Sequence, residues 1–404
     1  MFAQRSKSSR LARIIAVIGV ALGTLAAPAS AADRETRVPE ARGFTQLLPE
    51  ATQLRGRSPA AARIAERRNG YGLEGPLLYR TPVVEAPRPF DLVGVAGETH
   101  ALEYRSRDEG GVWSDWAEAD NGDPVYTGGA EQVQVRSRGV PIEGRLHYIA
   151  VDGGSAPAAT PRGPERRRSG AERRVSTPKP TFISRSAWGA NGKKGGCTPR
   201  ENPDFGRVKA AVVHHTVSTN GYSEAQAPGL VLGICQYHRD ANGWNDIGYN
   251  AVVDRFGNLY EGRAGGVDRA VVGAQTEGHN LQTAGVAVIG DRSSDAPAGP
   301  ERKTLIRYLA WRLDVAGIDA AGEVTLTSSG GSSNRTPEGK RIRVNRILSH
   351  SDTNFTECAG TKLRDEIPKI RRAVQRRIKE SAEVDPAEPP DPVAPANGGA
   401  LPRP

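Results

Sequence analysis

Two histidines and a cysteine are the residues of this chain best suited to metal chemistry. His350 and Cys358 lie close together towards the C-terminal end, and the adjacent His214 and His215 end an apolar run. Neutral imidazole nitrogens and a thiolate sulfur are ordinary zinc ligands, and three protein ligands leave a fourth position open for water. Adjacent strand residues point to opposite sides, so the histidine pair supplies one ligand. The pattern predicts a catalytic rather than a structural zinc site.

The elements that must position these residues follow a mixed helix and strand pattern. Nearly continuous apolar runs predict buried strands, and apolar residues at helical spacing predict helices. The predicted strands are 208–214, 248–253 and 285–290. The predicted helices are 230–238, 305–313 and 367–378, the last with Pro368 near its start. These elements predict an α/β domain over residues 181–380, with a central mixed β-sheet flanked by helices.

The N-terminal residues 1–31 have the pattern of a secretion signal. A basic head precedes a short apolar core, and the small residues Ala29-Ser30-Ala31 form a cleavage-type site. The apolar core is short for a membrane span, so a membrane anchor is the weaker interpretation. We expect an exported mature protein without a transmembrane anchor, located outside the cell and associated with the cell wall.

Three further segments complete the predicted organisation. Residues 32–152 predict a small β-rich domain, because short runs with partial alternation are separated by glycine pairs, although the pattern is weak before Phe90. Residues 153–180 form a proline- and arginine-rich linker, and residues 381–404 a proline-rich tail that we expect to be disordered.

The formal net charge of +9 raises the question of an anionic partner. Export argues against nucleic acid and favours anionic cell-wall polymers, while a merely soluble basic surface is the alternative.

Six short motifs follow one another along about half of the chain. They are Ile183-Ser184-Arg185-Ser186-Ala187-Trp188-Gly189-Ala190, Val212-Val213-His214-His215-Thr216, Asp246-Ile247-Gly248-Tyr249-Asn250, Tyr260-Glu261-Gly262-Arg263, Gly285-Val286-Ala287-Val288-Ile289-Gly290 and the segment from His350 to Cys358. In this order the segment 182–376 resembles the zinc-dependent N-acetylmuramoyl-L-alanine amidases related to peptidoglycan recognition proteins and a phage lysozyme. The resemblance implies a secreted amidase that cleaves the bond between N-acetylmuramic acid and L-alanine in peptidoglycan.

The resemblance also assigns roles to individual residues. It implies three zinc ligands, namely His214, His350 and Cys358. It implies catalytic roles for Tyr249 and Thr356, near the water or the developing oxyanion, and substrate contacts for Arg263. Asn280 and His279 lie close to Gln275 along the chain, and they are predicted to line the substrate groove.

The chain departs from the usual family pattern at four positions. Ser349 and Ser351 flank His350 in place of the usual glycine and arginine, and Ala359 replaces a proline after the cysteine. Gln275 stands where many relatives carry a histidine. None of these changes removes a predicted ligand.

Cys197, Cys235 and Cys358 are the three cysteines, and export permits one disulfide. If Cys358 binds zinc, Cys197 and Cys235 remain to pair with each other. The two rival pairings would consume the candidate ligand, and sequence does not decide the geometry.

Two other functions compete with a zinc amidase. A peptidoglycan-binding recognition protein without turnover is the first, although in this family that role accompanies loss of the metal cysteine. A metal-free hydrolase with Cys358 as nucleophile and a histidine as base is the second. Zinc content separates these possibilities.

Overall fold

The computed structural model of the chain describes residues 38–54, 77, 79–95, 102–118, 122–137, 142–152, 175–192 and 195–384. All of these residues belong to one compact unit, residues 36–404. The predicted signal segment and most of the predicted linker and tail lie outside the described residues.

The first part of the described chain is an antiparallel β domain. Its strands are β1 (Glu40–Leu47), β2 (Thr52–Gln53), β3 (Tyr79–Arg80), β4 (Val84–Val95), β5 (Leu102–Asp108), β6 (Ala117–Glu118), β7 (Val125–Ser137) and β8 (Arg145–Asp152). They form a sheet in the order β1-β8-β4-β7-β3-β2, with β5 pairing β6 and β7. The predicted β-rich domain is confirmed. Pro87 and Pro89 interrupt β4, where the pairing register shifts.

The second part contains a five-stranded mixed sheet. Its strands are β9 (Ala210–His215), β10 (Ala251–Val253), β11 (Leu259–Glu261), β12 (Thr283–Val288) and β15 (Ile347–Ser349), in the order β11-β10-β12-β9-β15. The β10–β12, β12–β9 and β9–β15 pairs are parallel, and β11 is antiparallel. Every residue of β9 and β12 is buried, which explains their continuous apolar runs. The predicted central mixed sheet flanked by helices is confirmed.

Helices cover both faces of this sheet. They are α1 (Ala227–Gln236), α2 (Gly299–Val315) and α3 (Thr361–Val384). The α2 and α3 helices bury Leu309, Ile370 and Val374 against one face, and α1 packs on the other. Pro368 lies inside α3 rather than near its start. A hairpin of β13 (Glu323–Thr327) and β14 (Arg341–Asn345) packs Leu326 against the β9 side chains on the α1 side.

The two parts of the chain contact each other directly. Leu92 and Ile149 of the β domain share an apolar cluster with Leu230 and Ile234 of α1. The C-terminal end of the predicted linker is held as well, because the backbone N–H groups of residues 176 and 177 donate to the Asp314 carboxylate. Among the described residues, no helix is both long enough and apolar enough to cross a membrane.

Candidate functional site

The parallel pairing of β9 and β15 brings two distant histidines together. Ser349 pairs with Val213, so His350 follows β15 at the level where His214 lies in β9. The two imidazole rings have their centroids 4.5 Å apart. The chain then returns, and the Cys358 carbonyl accepts hydrogen bonds from the Ser351 N–H at 2.8 Å and the Ser349 hydroxyl at 3.0 Å. This turn places the Cys358 sulfur beside the imidazoles.

The geometry of these three side chains fits a single tetrahedral cation. One ligand atom from each of His214, His350 and Cys358 lies within 4.8 Å of the others. The Cys358 Sγ lies 3.6 Å from His214 Nδ1. A zinc ion with ordinary Zn–S and Zn–N bonds and a tetrahedral angle separates S and N by roughly 3.6 Å. The donor set and spacing therefore suit zinc, with Nδ1 as the His214 ligand atom.

Burial keeps the imidazoles neutral, as a metal ligand must be. Burial lowers the pKa of His214 to about 4 and lowers that of His350 well below its usual value, with neighbouring imidazoles acting in the same direction. Neutral nitrogens retain the lone pair that a cation requires. The site therefore presents imidazoles in the form that binds a metal.

A glutamine behind the site fixes the orientation of His214. The Nε2 atom of His214 lies 2.6 Å from Gln275 Oε1, which also accepts a hydrogen bond from the Thr276 hydroxyl. The Gln275 amide nitrogen donates to the Thr283 hydroxyl at 3.0 Å, which identifies the other amide atom as the acceptor. His214 therefore carries its proton on Nε2, leaving Nδ1 free to face Cys358. Gly285 makes room for this arrangement, since a Cβ there would overlap the Gln275 side chain.

The neighbouring His215 points to the other side of β9. Its Nδ1 accepts a hydrogen bond from the Arg292 backbone N–H at 3.0 Å and lies 3.6 Å from the Asp291 carboxylate. Arg292 in turn forms a buried pair with Glu301, whose carboxylate also caps the start of α2. His215 thus connects β9 to the rest of the domain, outside the ligand cluster.

Tyr249 lies next to the candidate metal ligands but already has a partner. Its ring centroid is 5.2 Å from that of His214. Its hydroxyl donates a hydrogen bond to Asp123, which comes from the β domain. The other Asp123 oxygen lies 2.6 Å from His238 Nε2, and His238 Nδ1 accepts from the Gly248 N–H at 3.1 Å. His238 therefore donates through Nε2, and both Asp123 oxygens are engaged.

The remaining predicted site residues have mostly local partners. The Thr356 hydroxyl is buried and accepts the Cys358 N–H at 3.0 Å. The Asn280 side-chain oxygen accepts the N–H groups of Gln275 and Thr276, each at 2.9 Å, so it shapes the turn that carries Gln275. Arg263 is nearly buried, and its Nη1 has no hydrogen-bond partner among the described residues.

One minor expectation is corrected by the structure. His279 is completely buried, so it does not line an open groove. Close to the candidate ligands, Asp352 accepts the Ser349 N–H at 2.9 Å and thus caps the turn that carries His350.

The structure contains a disulfide between Cys197 and Cys235, and Cys358 lies outside this bond. The bond ties α1 to the segment after Trp188, whose indole donates to the Glu261 carbonyl at 2.8 Å. The candidate ligand is therefore not consumed by a disulfide.

Sequence reasoning missed two residues beside the site. Gln275 was visible only as a departure from the family pattern. Asp123 carries no sequence signal that links it to a site in the second domain, because its partner Tyr249 lies 126 residues further along the chain.

Comparison with known proteins finds relatives of the second part of the chain. The family model for N-acetylmuramoyl-L-alanine amidase matches residues 204–361. The peptidoglycan-recognition protein SC2 of Drosophila melanogaster is 28% identical over 187 residues, which cover 46% of this chain and 84% of that protein. The N-acetylmuramoyl-L-alanine amidase of Sus scrofa is 33% identical over 127 residues, covering 30% of this chain and 19% of that protein.

A solved structure of peptidoglycan recognition protein-LE in complex with tracheal cytotoxin is also similar. It is 27% identical with a TM-score of 0.37, and the match covers 46% of this chain and 92% of that one. The family model and the related sequences thus support the resemblance of this part of the chain to the N-acetylmuramoyl-L-alanine amidases and the peptidoglycan-recognition proteins.

Proposed function

We propose that the protein is an exported, zinc-dependent N-acetylmuramoyl-L-alanine amidase acting on peptidoglycan. The observation that carries this proposal is the cluster of His214, His350 and Cys358, whose spacing suits a tetrahedral cation beside Tyr249. Three ligands leave one position for water, as catalytic zinc sites do. The matched amidase model and the amidase of Sus scrofa support the choice of bond.

The chemistry required is the hydrolysis of a poorly electrophilic amide. Zinc, when bound, acidifies a coordinated water and polarises the scissile carbonyl. The protein contributes the Tyr249 phenol, which donates to Asp123 in this structure and, once released, would donate to the carbonyl oxygen as negative charge develops there. Gln275 holds His214 in the tautomer that directs Nδ1 towards the metal position.

Thr356 and Arg263 have supporting roles in the proposal. The Thr356 hydroxyl holds the backbone of Cys358, which sets the direction of the sulfur. Arg263 is the proposed substrate contact, because its Nη1 has no hydrogen-bond partner among the described residues. Asn280 acts through the turn that positions Gln275.

The proposed location and partners follow from the chain as a whole. We propose that the mature protein works outside the cell, where a disulfide is stable and peptidoglycan is accessible. The formal charge of +9 supports an additional attraction to anionic wall polymers.

The test is mass spectrometry of purified peptidoglycan digested by the full-length mature protein, with and without a chelator. We expect free stem peptides with a new L-alanine amino terminus, and no such product after zinc removal. Tight binding of muropeptides without any hydrolysis would instead support a recognition protein. Hydrolysis that persists in zinc-free protein but disappears in Cys358→Ala would support a cysteine hydrolase.

A further inference from the structure

The β domain packs closely on helix α1 through a glycine of the helix. A Cβ atom at Gly233 would lie 2.5 Å from Leu92 Cδ1 and 3.4 Å from Val151 Cγ2. Leu92 and Ile149 are buried in the same cluster as Ile234. The absence of a side chain at Gly233 therefore lets the two domains approach at the helix backbone.

Polar contacts continue this interface towards the candidate site. The Gln236 amide donates to the Ala41 carbonyl at 3.1 Å, and the Asn242 amide donates to the Gly122 carbonyl at 2.8 Å. Gly122 is next to Asp123 in the segment that leads into β7. The interface thus fixes the backbone that carries Asp123.

Asp123 places a buried carboxylate against the candidate site. Its side chain is 7% exposed and accepts one hydrogen bond from Tyr249 and one from His238, both in the other domain. A carboxylate is expensive to bury without such donors, so this environment exists only while the domains are docked. The Tyr249 hydroxyl, which the proposed reaction needs as a donor to the substrate amide oxygen, therefore already donates to Asp123.

In this docked structure the candidate metal ligands have almost no exposed surface. His214, His350 and Cys358 are 3% exposed or less, and Tyr249 is 4% exposed. A peptidoglycan strand is a polymer and needs open space beside these atoms. The described structure therefore gives such a strand little access to these atoms.

We propose that the N-terminal β domain is an autoinhibitory domain, which closes the site by engaging Tyr249 with Asp123. This inference rests on the proposed amidase function and adds its regulation. Activation is the separation of the β domain from α1. Separation releases the Tyr249 hydroxyl, returns the Asp123 carboxylate to water and opens a path to the ligands.

Two variants of the full-length mature protein test this by different routes. Asp123→Ala removes the contact with Tyr249, and Gly233→Leu inserts a side chain that suits a helix but not the docked β domain. Val374→Ala is the matched control, because it weakens the core on the opposite face of the sheet. The zinc-loaded proteins are compared by release of stem peptides from purified peptidoglycan.

We expect both test variants to hydrolyse about tenfold faster than the parent or more. Loss of hydrogen bonds to a charged group shifts a closed–open equilibrium by roughly one to two orders of magnitude. The control is expected to stay within about twofold of the parent. Slower hydrolysis by Asp123→Ala would overturn the proposal, since Asp123 would then hold Tyr249 for catalysis.

A second measurement does not depend on activity. Cys358 lies outside the Cys197–Cys235 disulfide, so its alkylation by iodoacetamide in chelated protein reports access to the site. We expect faster alkylation in Asp123→Ala and Gly233→Leu than in the parent or the control. Equal alkylation rates in all four proteins would overturn the closed state. Faster alkylation of the two test variants, with no hydrolysis by any of the proteins, would support the autoinhibitory β domain and reject the amidase function.

Discussion

Replacing Gln275 perturbs the candidate metal site without changing a ligand. Gln275→Leu keeps a similar side-chain volume but removes the oxygen that lies 2.6 Å from His214 Nε2. The buried Nε2–H then has no acceptor, and nothing fixes the tautomer that directs Nδ1 towards Cys358. Loss of such an outer partner usually weakens metal binding tenfold to a hundredfold. This corresponds to about 1.4–2.7 kcal/mol of binding free energy.

Two matched variants separate orientation from simple loss of packing. Gln275→Glu keeps an acceptor for His214 and loses the amide donor to Thr283, so we expect zinc affinity at or above that of the parent. Thr283→Val also removes the hydrogen bond between Gln275 and Thr283 but leaves Gln275 in place. We expect it to lose less zinc affinity than Gln275→Leu. An orienting role for Gln275 predicts that zinc affinity decreases from Gln275→Glu to Thr283→Val to Gln275→Leu.

The assay is a competition titration against a chromophoric zinc chelator. The thermal midpoint of each metal-free protein shows whether the fold itself has been damaged. If Gln275→Leu bound zinc with the parent Kd while folding normally, the orienting role of Gln275 would be refuted. If Gln275→Glu lost as much affinity as Gln275→Leu, packing rather than the hydrogen bond would be responsible.

The other predictions concern the ligands, the phenol and the disulfide. Alanine at any ligand position should abolish both zinc binding and hydrolysis, as metal analysis and product release will show. The ligand positions are His214, His350 and Cys358. Tyr249→Phe should retain zinc while turnover falls by roughly two to three orders of magnitude, because an oxyanion donor is lost. Replacing Cys197 and Cys235 together by serine should lower the free energy of unfolding by about 4 kcal/mol in the chain-entropy model, measured by urea denaturation.

Each of these predictions has its own control or contrary outcome. His215→Ala should keep zinc, because His215 points away from the ligand cluster. A Cys358→Ala protein with full activity would contradict the ligand assignment. Parent-rate turnover by Tyr249→Phe would make the phenol structural. Peptide mapping that found Cys358 bonded to another cysteine in active protein would contradict both the disulfide and the metal site.

The fold class and the candidate ligands could be predicted from the sequence because their signals are local. The apolar runs of β9 and β12 indicate buried strands, since both faces of a central parallel sheet are covered. Alternation along a strand separates His214 from His215 without any coordinates. The order of the six motifs then indicates the family resemblance, even though each motif is weak alone.

Only the tertiary structure decided what surrounds those ligands. The contact of Asn280 with substrate stays a prediction, and the structure adds that its side-chain oxygen holds the turn at Gln275. Gln275 meets His214 across 61 residues of sequence, and Asp123 meets Tyr249 across 126. Such contacts depend on strand order and on how two domains dock, and no local pattern of residue types encodes either. The candidate ligands could therefore be predicted from the sequence. Only the folded chain shows that Gln275 orients His214 and that Asp123 engages Tyr249.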